Sequence, residues 1–398
     1  MKETKITFTG DVMLKSEMID CYKNGENSYN FDDIFASIKP FLQESDYVVG
    51  NLETPISEER ADYKHESYRF TSPIEFAQAV KNAGFHFVST ANNHCLDNGL
   101  DGVRKTVDAL DKVGLVHSGI FYQTKKPCIV EINGMKIAFL AYTYGTNAFN
   151  NNVYLDDSVH VNLFQAQELN NPVIRYLYQN KSLPIKVIRY IMRKCHLFQF
   201  HKQPYIRYEK DVIQKKELLD DIKEAKQNAD HIIMCMHEGG QYNLDPIERS
   251  EDTIDFLLKN GVNIIIGNHE HRVQKTDVSG NNVVTYCLGN FDGLGGVLLP
   301  PYDKMGDYSI LFHLYLTKER VTKVSFSVLK TVPDLNHKKF GVKVELLVDL
   351  LEKEQDESLK EQYLEDNQKI VEIVTGKKIE KDEVQKEYVI KDFGIGLS

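Results

Sequence analysis

Five short apolar runs in this chain each end in residues that a divalent cation would accept, and that repetition constrains the fold more than any other feature. Val262-Asn263-Ile264-Ile265-Ile266-Gly267 leads into Asn268-His269-Glu270-His271. A short run rich in β-branched residues is too brief for a helix and reads as a buried strand. The glycine lets the backbone turn, so that His269 and His271 can reach one ion. Ile6 to Gly10 leads into Asp11, Tyr47 to Gly50 into Asn51-Leu52-Glu53, Phe85 to Thr90 into Asn92-Asn93-His94, and His231 to Met236 into His237-Glu238. In open α/β sheets, ligands gather beyond the carboxyl ends of the strands, so these five ends can converge on one crevice. The mixed Asp, Glu, Asn and His set suits Mn, Fe or Zn. Each candidate also has a plainer reading: Asp11 as a turn residue, Asn92-Asn93 as a helix cap, Glu53 and His237 as a structural pair.

The expected class is α/β. Ser72-Pro73-Ile74-Glu75 reads as a capping box opening a helix to about Asn82 that Gly84 ends, and Leu100, Val103, Val107, Leu110 and Val113 mark a second helix. Further helices are expected over Lys215 to Ala229 and around Ile254 to Leu258. Strands are expected at Val283 to Leu288, Ile310 to Leu316 and Val324 to Leu329. From about residue 340 the chain is densely charged and reads as a helical extension carrying Leu346, Leu347, Leu350 and Leu351. These signals divide the chain into a main body at 1–150 and 211–332, an insert at 151–210, and a C-terminal extension at 333–398.

The insert stands out by charge. Residues 171–210 hold nine Lys and Arg against the single acid Glu209, in a chain whose net charge is −10. Aliphatic and aromatic residues are interleaved with those charges. The pattern fits a basic amphipathic helix on an anionic membrane or polyanion, or equally a helical insert docked on the acidic body. No run approaches the roughly 18 apolar residues of a membrane span, and Met1 to Lys5 precede the first strand with no apolar signal region. The expected location is therefore cytoplasmic, with peripheral contact to the inner face of the membrane through residues 171–200, unless an anchor lies upstream. Nucleic acid is not an expected partner. The six cysteines are scattered without a CxxC pair and read as reduced; Cys95, beside His94, is either a ligand, a nucleophile or a small buried hydrophobe. Arg69 and Arg272 are candidate substrate clamps, because a planar guanidinium matches phosphate and carboxylate.

Taken together, Gly10-Asp11-Val12-Met13-Leu14, Asn51-Leu52-Glu53-Thr54-Pro55, Ala91-Asn92-Asn93-His94 with Asp97-Asn98-Gly99, His237-Glu238-Gly239, Gly267 to Gln274 and Leu288-Gly289-Asn290-Phe291 resemble the CapA family. That family of capsule and poly-γ-glutamate biosynthesis proteins is related to the calcineurin-like metallophosphoesterases. The resemblance covers roughly residues 5 to 330 without the insert. It implies a four-layer α/β/β/α sandwich with one or two divalent ions at the sheet edge. Asp11 and His271 would hold the first ion, Glu53 would bridge, and Asn93, His237 and His269 would hold the second. His94 would orient or protonate the substrate, with Asp11 beside it in the catalytic centre and Asn51 as a substrate contact.

The implied function is a metal-dependent hydrolase or transferase, in which an activated water attacks a phosphoester or amide of an anionic surface polymer or another phosphorylated substrate. The alternative is a non-catalytic scaffold of polymer synthesis docked through the basic insert. Where relatives place a histidine two residues after the first aspartate, this chain has Met13, and a thioether is a poor ligand for such ions. The first site is thus expected to be the weaker one. Glu238, Gln241 and Glu270 replace the Trp, acid and Pro of relatives, which predicts a different substrate wall.

Overall fold

A computed structural model describes residues 3–26, 28–63, 69–123, 128–167, 176–177, 180, 182–194, 212–293, 304–337 and 340–394. Two twisted sheets carry the body. The first contains β1 (Thr4–Val12), β2 (Tyr47–Leu52), β5 (Phe87–Ser89), β6 (Val116–Ser118), β15 (Tyr308–Leu316), β16 (Val321–Pro333), β17 (Val342–Leu346) and β18 (Tyr388–Asp392). Its order is β17-β16-β15-β1-β2-β5-β6, with β18 also on β16. The second contains β8 (Cys128–Ile132), β9 (Met135–Thr143), β11 (His231–His237), β12 (Ile264–Asn268), β13 (Thr276–Ser279) and β14 (Asn282–Thr285), ordered β13-β14-β12-β11-β9-β8. Two minor pairs join β3 (Ile56–Ser57) to β4 (Ser72–Pro73) and β7 (Ile120–Phe121) to β10 (His160–Val161).

β1, β2, β5 and β6 are parallel neighbours, as are β9, β11, β12 and β14. Parallel strands need crossovers, and helices supply them. Their runs are apolar at successive positions because both faces are buried. Ile6, Phe8 and Val49 face a core shared with Ile137, Phe139, Ile233, Ile264 and Ile266 of the other sheet. Val48, Leu52 and Val88 point the opposite way, onto Phe76, Val80 and Leu110 of helices Ile74–Ala83 and Gly99–Val113. In the second sheet Leu140, Met234 and Ile265 face outward onto Leu218, Ile222, Ile254 and Leu257 of helices Val212–Asn228 and Glu248–Lys259. Each strand therefore divides alternate side chains between a common inner core and a helix-covered outer face.

Three expectations change. Ser72 is no helix cap: Ser72-Pro73 pairs with Ile56-Ser57, the Ser72 hydroxyl lies 2.9 Å from Thr54 Oγ1, and the helix begins at Ile74 without a side-chain cap. Gly84 ends that helix in the left-handed conformation (φ 113°), as expected. The strand expected to reach Leu288 stops at Thr285, Leu288 forming only an isolated bridge to Val273. The C-terminal segment is not simply a charged helical extension. It adds β17 and β18 to the first sheet, and helices Leu347–Lys353 and Glu357–Thr375 bury Leu347, Leu351, Ile370 and Val374 in the core between the sheets. Covering the β16 edge removes unpaired backbone that would invite aggregation.

Of the basic insert, Leu183–Lys194 is helical, while Arg175, Lys181, Lys202, Arg207 and Lys210 lie outside the described residues. Among the described residues, no helix is long and apolar enough to cross a membrane. Cys21, Cys95, Cys128, Cys235 and Cys287 are free thiols, and Cys195 lies outside the described residues. Cys95 is buried, and burial pushes its thiol pKa up, away from nucleophile or ligand chemistry.

Glu387 ties the C-terminal strand to the body. It accepts from Ser325 Oγ at 2.6 Å and Tyr315 Oη at 2.8 Å, and lies 3.3 Å from Lys5 Nζ and 3.2 Å from Lys323 Nζ. Burial raises its pKa, but Ser325, His313, Tyr315 and Lys5 outweigh burial and hold it at about 2, against an ordinary 4.5. A carboxylate with a depressed folded pKa stabilises above the unfolded value and loses that contribution as pH falls through the folded one. Glu387→Gln is expected to lower stability at neutral pH by on the order of 2 kcal/mol and to flatten the loss of stability below about pH 4.5. Urea melts across that range measure both effects.

Candidate metal centre

The ladder register brings the polar strand ends to one level. Asp11 is opposite Asn51 across β1 and β2, Asn51 is opposite Ser89 across β2 and β5, and His237 is opposite Asn268 across β11 and β12. Glu53 follows β2 directly, and Asn92 to His94 follow β5. Gly10 permits this closeness on the β1 side, because a Cβ there would overlap the Gly289 carbonyl, which instead accepts the Asp11 N–H at 2.9 Å. After β12 the backbone is strained: His269 and His271 both have positive φ, 123° and 57°. Such conformations cost on the order of 1–3 kcal/mol for a non-glycine residue and persist where the surroundings over-determine them, commonly at functional sites. Here they turn both imidazoles into the same crevice.

All six expected ligands are gathered and buried. His237 Nε2 lies 2.7 Å from Asn93 Oδ1, 3.1 Å from His269 Nδ1 and 3.4 Å from Glu53 Oε1. His271 Nδ1 lies 3.1 Å from Asp11 Oδ2 and 3.8 Å from Glu53 Oε2. Two overlapping groups result, Glu53 with His237 and His269, and Asp11 with Glu53 and His271, each with its donor atoms within 4.8 Å of one another. Glu53 belongs to both, one oxygen toward each. Met13 belongs to neither; it is buried, and its N–H donates to Asp292 Oδ1 at 2.9 Å.

The protein alone leaves this cluster electrostatically unsatisfied. Both Glu53 oxygens are buried without a hydrogen-bond partner, which normally costs about 1–3 kcal/mol or more per group, while Asp11 Oδ2 and His271 Nδ1 meet only as an ion pair at 3.1 Å, without hydrogen-bond geometry. Burial, then the neighbouring Asp11, pushes the Glu53 pKa up to about 8. For Asp11 burial acts in the same direction, but His271, His237 and Asn51 outweigh it and hold the carboxyl below its usual range. Burial lowers His237 to about 4 and drives His269 well below the usual imidazole value, His237 and His271 adding to the effect. The neutral imidazoles of His237 and His269 beside the Glu53 and Asp11 carboxylates are a donor set suited to a divalent cation.

His94 sits at the rim, its Nε2 3.9 Å from Glu53 Oε1 and its Nδ1 2.6 Å from Asp97 Oδ2. Phe70 N–H and Asn151 Nδ2 donate to the same Asp97 carboxylate at 2.8 and 2.7 Å, fixing it in place. Burial opposes a charge on His94, but the charge and hydrogen bond of Asp97, then Glu53, outweigh it and raise the pKa. Asn92 is neither ligand nor helix cap: its Nδ2 donates to the Leu52 carbonyl and its Oδ1 accepts from His94 N–H, shaping the loop that carries Asn93 and His94.

Each of the residues expected to contact substrate has a place within the chain. Asn51 Nδ2 donates to Asp11 Oδ1 at 2.7 Å and lies 3.2 Å from His237 Nδ1, so it positions two ligands. Arg69 turns its fork onto the Asp97 carbonyl, with Nε at 3.1 Å and an Nη at 2.8 Å, and braces the His94 loop. Arg272 lines a pocket with Leu244, Tyr308, Lys369 and Ile373, none of which belongs to the ligand groups. Asp97 orients His94, and the sequence signals that role only as an acid three residues after a histidine. The ion pair of Glu238 with Arg249 at 2.6 Å could not be read from the sequence, because it joins a strand end to a separate helix. Tyr144 stacks obliquely on His269, with centroids 4.8 Å apart, and Tyr242 lies 5.8 Å from His271, so tyrosines flank the cluster in a chain without tryptophan.

With this geometry in hand, comparison with known proteins is informative. Residues 5–292 match the family described as "Bacterial capsule synthesis protein PGA_cap". The chain is 27% identical over 293 residues to "Capsule biosynthesis protein CapA" of Bacillus anthracis, covering 72% of this chain and 59% of that protein. It is 25% identical over 291 residues to "PGA biosynthesis protein CapA" of Bacillus subtilis (strain 168), covering 72% of this chain and 62% of that one. The matches thus span about three-fifths of these curated relatives. A solved structure, "GAP50 the anchor in the inner membrane complex of Plasmodium", aligns over 92% of this chain and 95% of its own at 10% identity with a TM-score of 0.33, too distant to bear on the fold. The profile match over most of the chain and the two relatives agree, and the chain belongs to the PGA_cap family of bacterial capsule synthesis proteins.

Proposed function

We propose that the chain is a metal-dependent hydrolase or transferase of the CapA type that works in capsule or poly-γ-glutamate biosynthesis, acting on a phosphoester or amide of an anionic polymer. In this reading the two sheets with their helix-covered outer faces form the four-layer α/β/β/α sandwich of the metallophosphoesterases. The observation that carries the proposal is the buried Glu53 carboxylate, shared between two donor groups and without a hydrogen-bond partner of its own. A scaffold that had lost catalysis would gain nothing from keeping such a cost at its core.

Glu53, Asn93, His237 and His269 would hold one ion, and Asp11, Glu53 and His271 the other. When bound, divalent ions at such a site supply Lewis acidity and lower the pKa of a water toward neutrality. The remaining chemistry belongs to the chain. Asp97 accepts at His94 Nδ1 and fixes the ring, so that Nε2 faces the cluster and can deliver a proton to a leaving group. Asn51 keeps Asp11 and His237 aligned, while Arg69 and Asn92 hold the loop that presents His94. Tyr144 and Tyr242 wall the crevice.

Two predictions follow from this assignment. Calorimetric titration of the metal-stripped protein with Mn or Zn is expected to give two unequal sites, the tighter being the one with four donors. His269→Ala should weaken the tighter site by more than the roughly 10–100-fold typical of outer-sphere losses, and Asp11→Asn should act mainly on the weaker one. Two equal sites would contradict the assignment. His94→Ala is expected to lower kcat about 10²–10⁴-fold with metal affinity retained. Asp97→Asn should lower it less and move the alkaline limb of the pH profile to lower pH, since the partner that raises the His94 pKa is gone. Absence of metal-dependent turnover on both a phosphodiester and a γ-glutamyl polymer would sink the catalytic reading.

A further inference from the structure

The helix Leu183–Lys194 has an apolar face that is exposed among the described residues. Leu183 is 76% exposed, Val187 49%, Ile188 42%, Tyr190 62% and Ile191 51%. Leu183, Val187 and Ile191 recur at intervals of four, so they stand one above another along one side, and Ile188 widens that stripe. Lys186 and Arg189, three apart, fall on the other side, and Lys194 is exposed at the end. Residues 183–194 include no acid, in a chain with a net charge of −10. An ordinary surface helix buries its apolar stripe against the body, and scattered exposed hydrophobics need no explanation. Five large ones on a single helix do need one.

The geometry points to this helix as an interfacial anchor that lies in the headgroup layer of an anionic lipid membrane, apolar side inward and lysines snorkelling to the phosphates. Charge selects this occupant. Basic side chains flanking an exposed apolar stripe, with no acid in the segment, match a partner that offers negative charge and an apolar layer together. A bilayer surface also takes up a convex stripe without a matching groove, which a globular partner would have to provide. The helix needs no ion in the metal centre to bind, so the inference stands or falls independently of the catalytic proposal.

Flotation of the full chain with vesicles of phosphatidylcholine, alone and mixed with phosphatidylglycerol, tests it. Binding is expected to the mixed vesicles at low salt, to weaken as salt rises, and to be poor on phosphatidylcholine alone. Lys186→Ala with Lys194→Ala should reduce partitioning roughly thirtyfold, and Val187→Glu with Ile191→Glu by more than about tenfold. Both double variants should keep the parent melting temperature, since they alter exposed side chains. Three results would overturn the inference: no flotation with phosphatidylglycerol vesicles at low salt, binding that neither double variant weakens, or a drop in melting temperature for Val187→Glu with Ile191→Glu, which would mean that the face packs on the protein itself. A dimer in light scattering that the glutamates dissociate would assign the face to a second copy and would also overturn it.

Discussion

Glu53 is buried between Asp11 and three histidines with neither carboxylate oxygen hydrogen-bonded, and much of the surrounding structure serves to hold it there. A carboxylate in that setting either takes a proton or takes a cation, and the upward displacement of its pKa to about 8 expresses the first choice when only protein groups are present. Burial holds the His237 and His269 imidazoles neutral, so these two do not act as its counter-charge. A divalent cation would resolve the conflict for Glu53 and Asp11 together. The polar strand ends, the strained His269-Glu270-His271 turn and the Asn51 bridge are intelligible as parts of one arrangement that stores this unmet demand.

Both sheets are needed for it. The first supplies Asp11, Glu53 and the loop with Asn93 and His94; the second supplies His237, His269 and His271. Their common core of Ile6, Phe8, Val49, Phe139, Ile233 and Ile266 therefore sets the distance between two half-sites, and a close-packed interior transmits that distance with little play. Gly10 and Gly289 matter for the same reason, since contact between their backbones lets β1 end where Asp11 is required.

Departures from the family pattern are local. Met13 stands where the resemblance to the metallophosphoesterases implies a ligand, and here it is buried packing whose N–H is held by Asp292. The second donor group keeps all of its members. Tyr144 and Tyr242 flank the cluster, and Glu238 pairs with Arg249 from another helix. The residues that could hold an ion are gathered in full, and the groups around them are this chain's own.

The sequence by itself marked the strands, their α/β class and the residues that meet in the crevice, because apolar runs ending in Asp, Asn, Glu or His are local signals; it left each of those residues a plainer reading that packing had to decide. It also marked the basic segment. It did not determine that Ser72-Pro73 pairs with Ile56-Ser57 and caps nothing, that the charged C-terminus contributes β17 and β18, or that Arg69 grips the Asp97 carbonyl and leaves the crevice to other groups. Those outcomes depend on partners distant in the chain, and periodicity carries no record of distance in space. Only the tertiary structure decided which oxygen of Glu53 faces which histidine and which side of the Leu183–Lys194 helix is left to solvent, since both are properties of packing between elements and of no element alone.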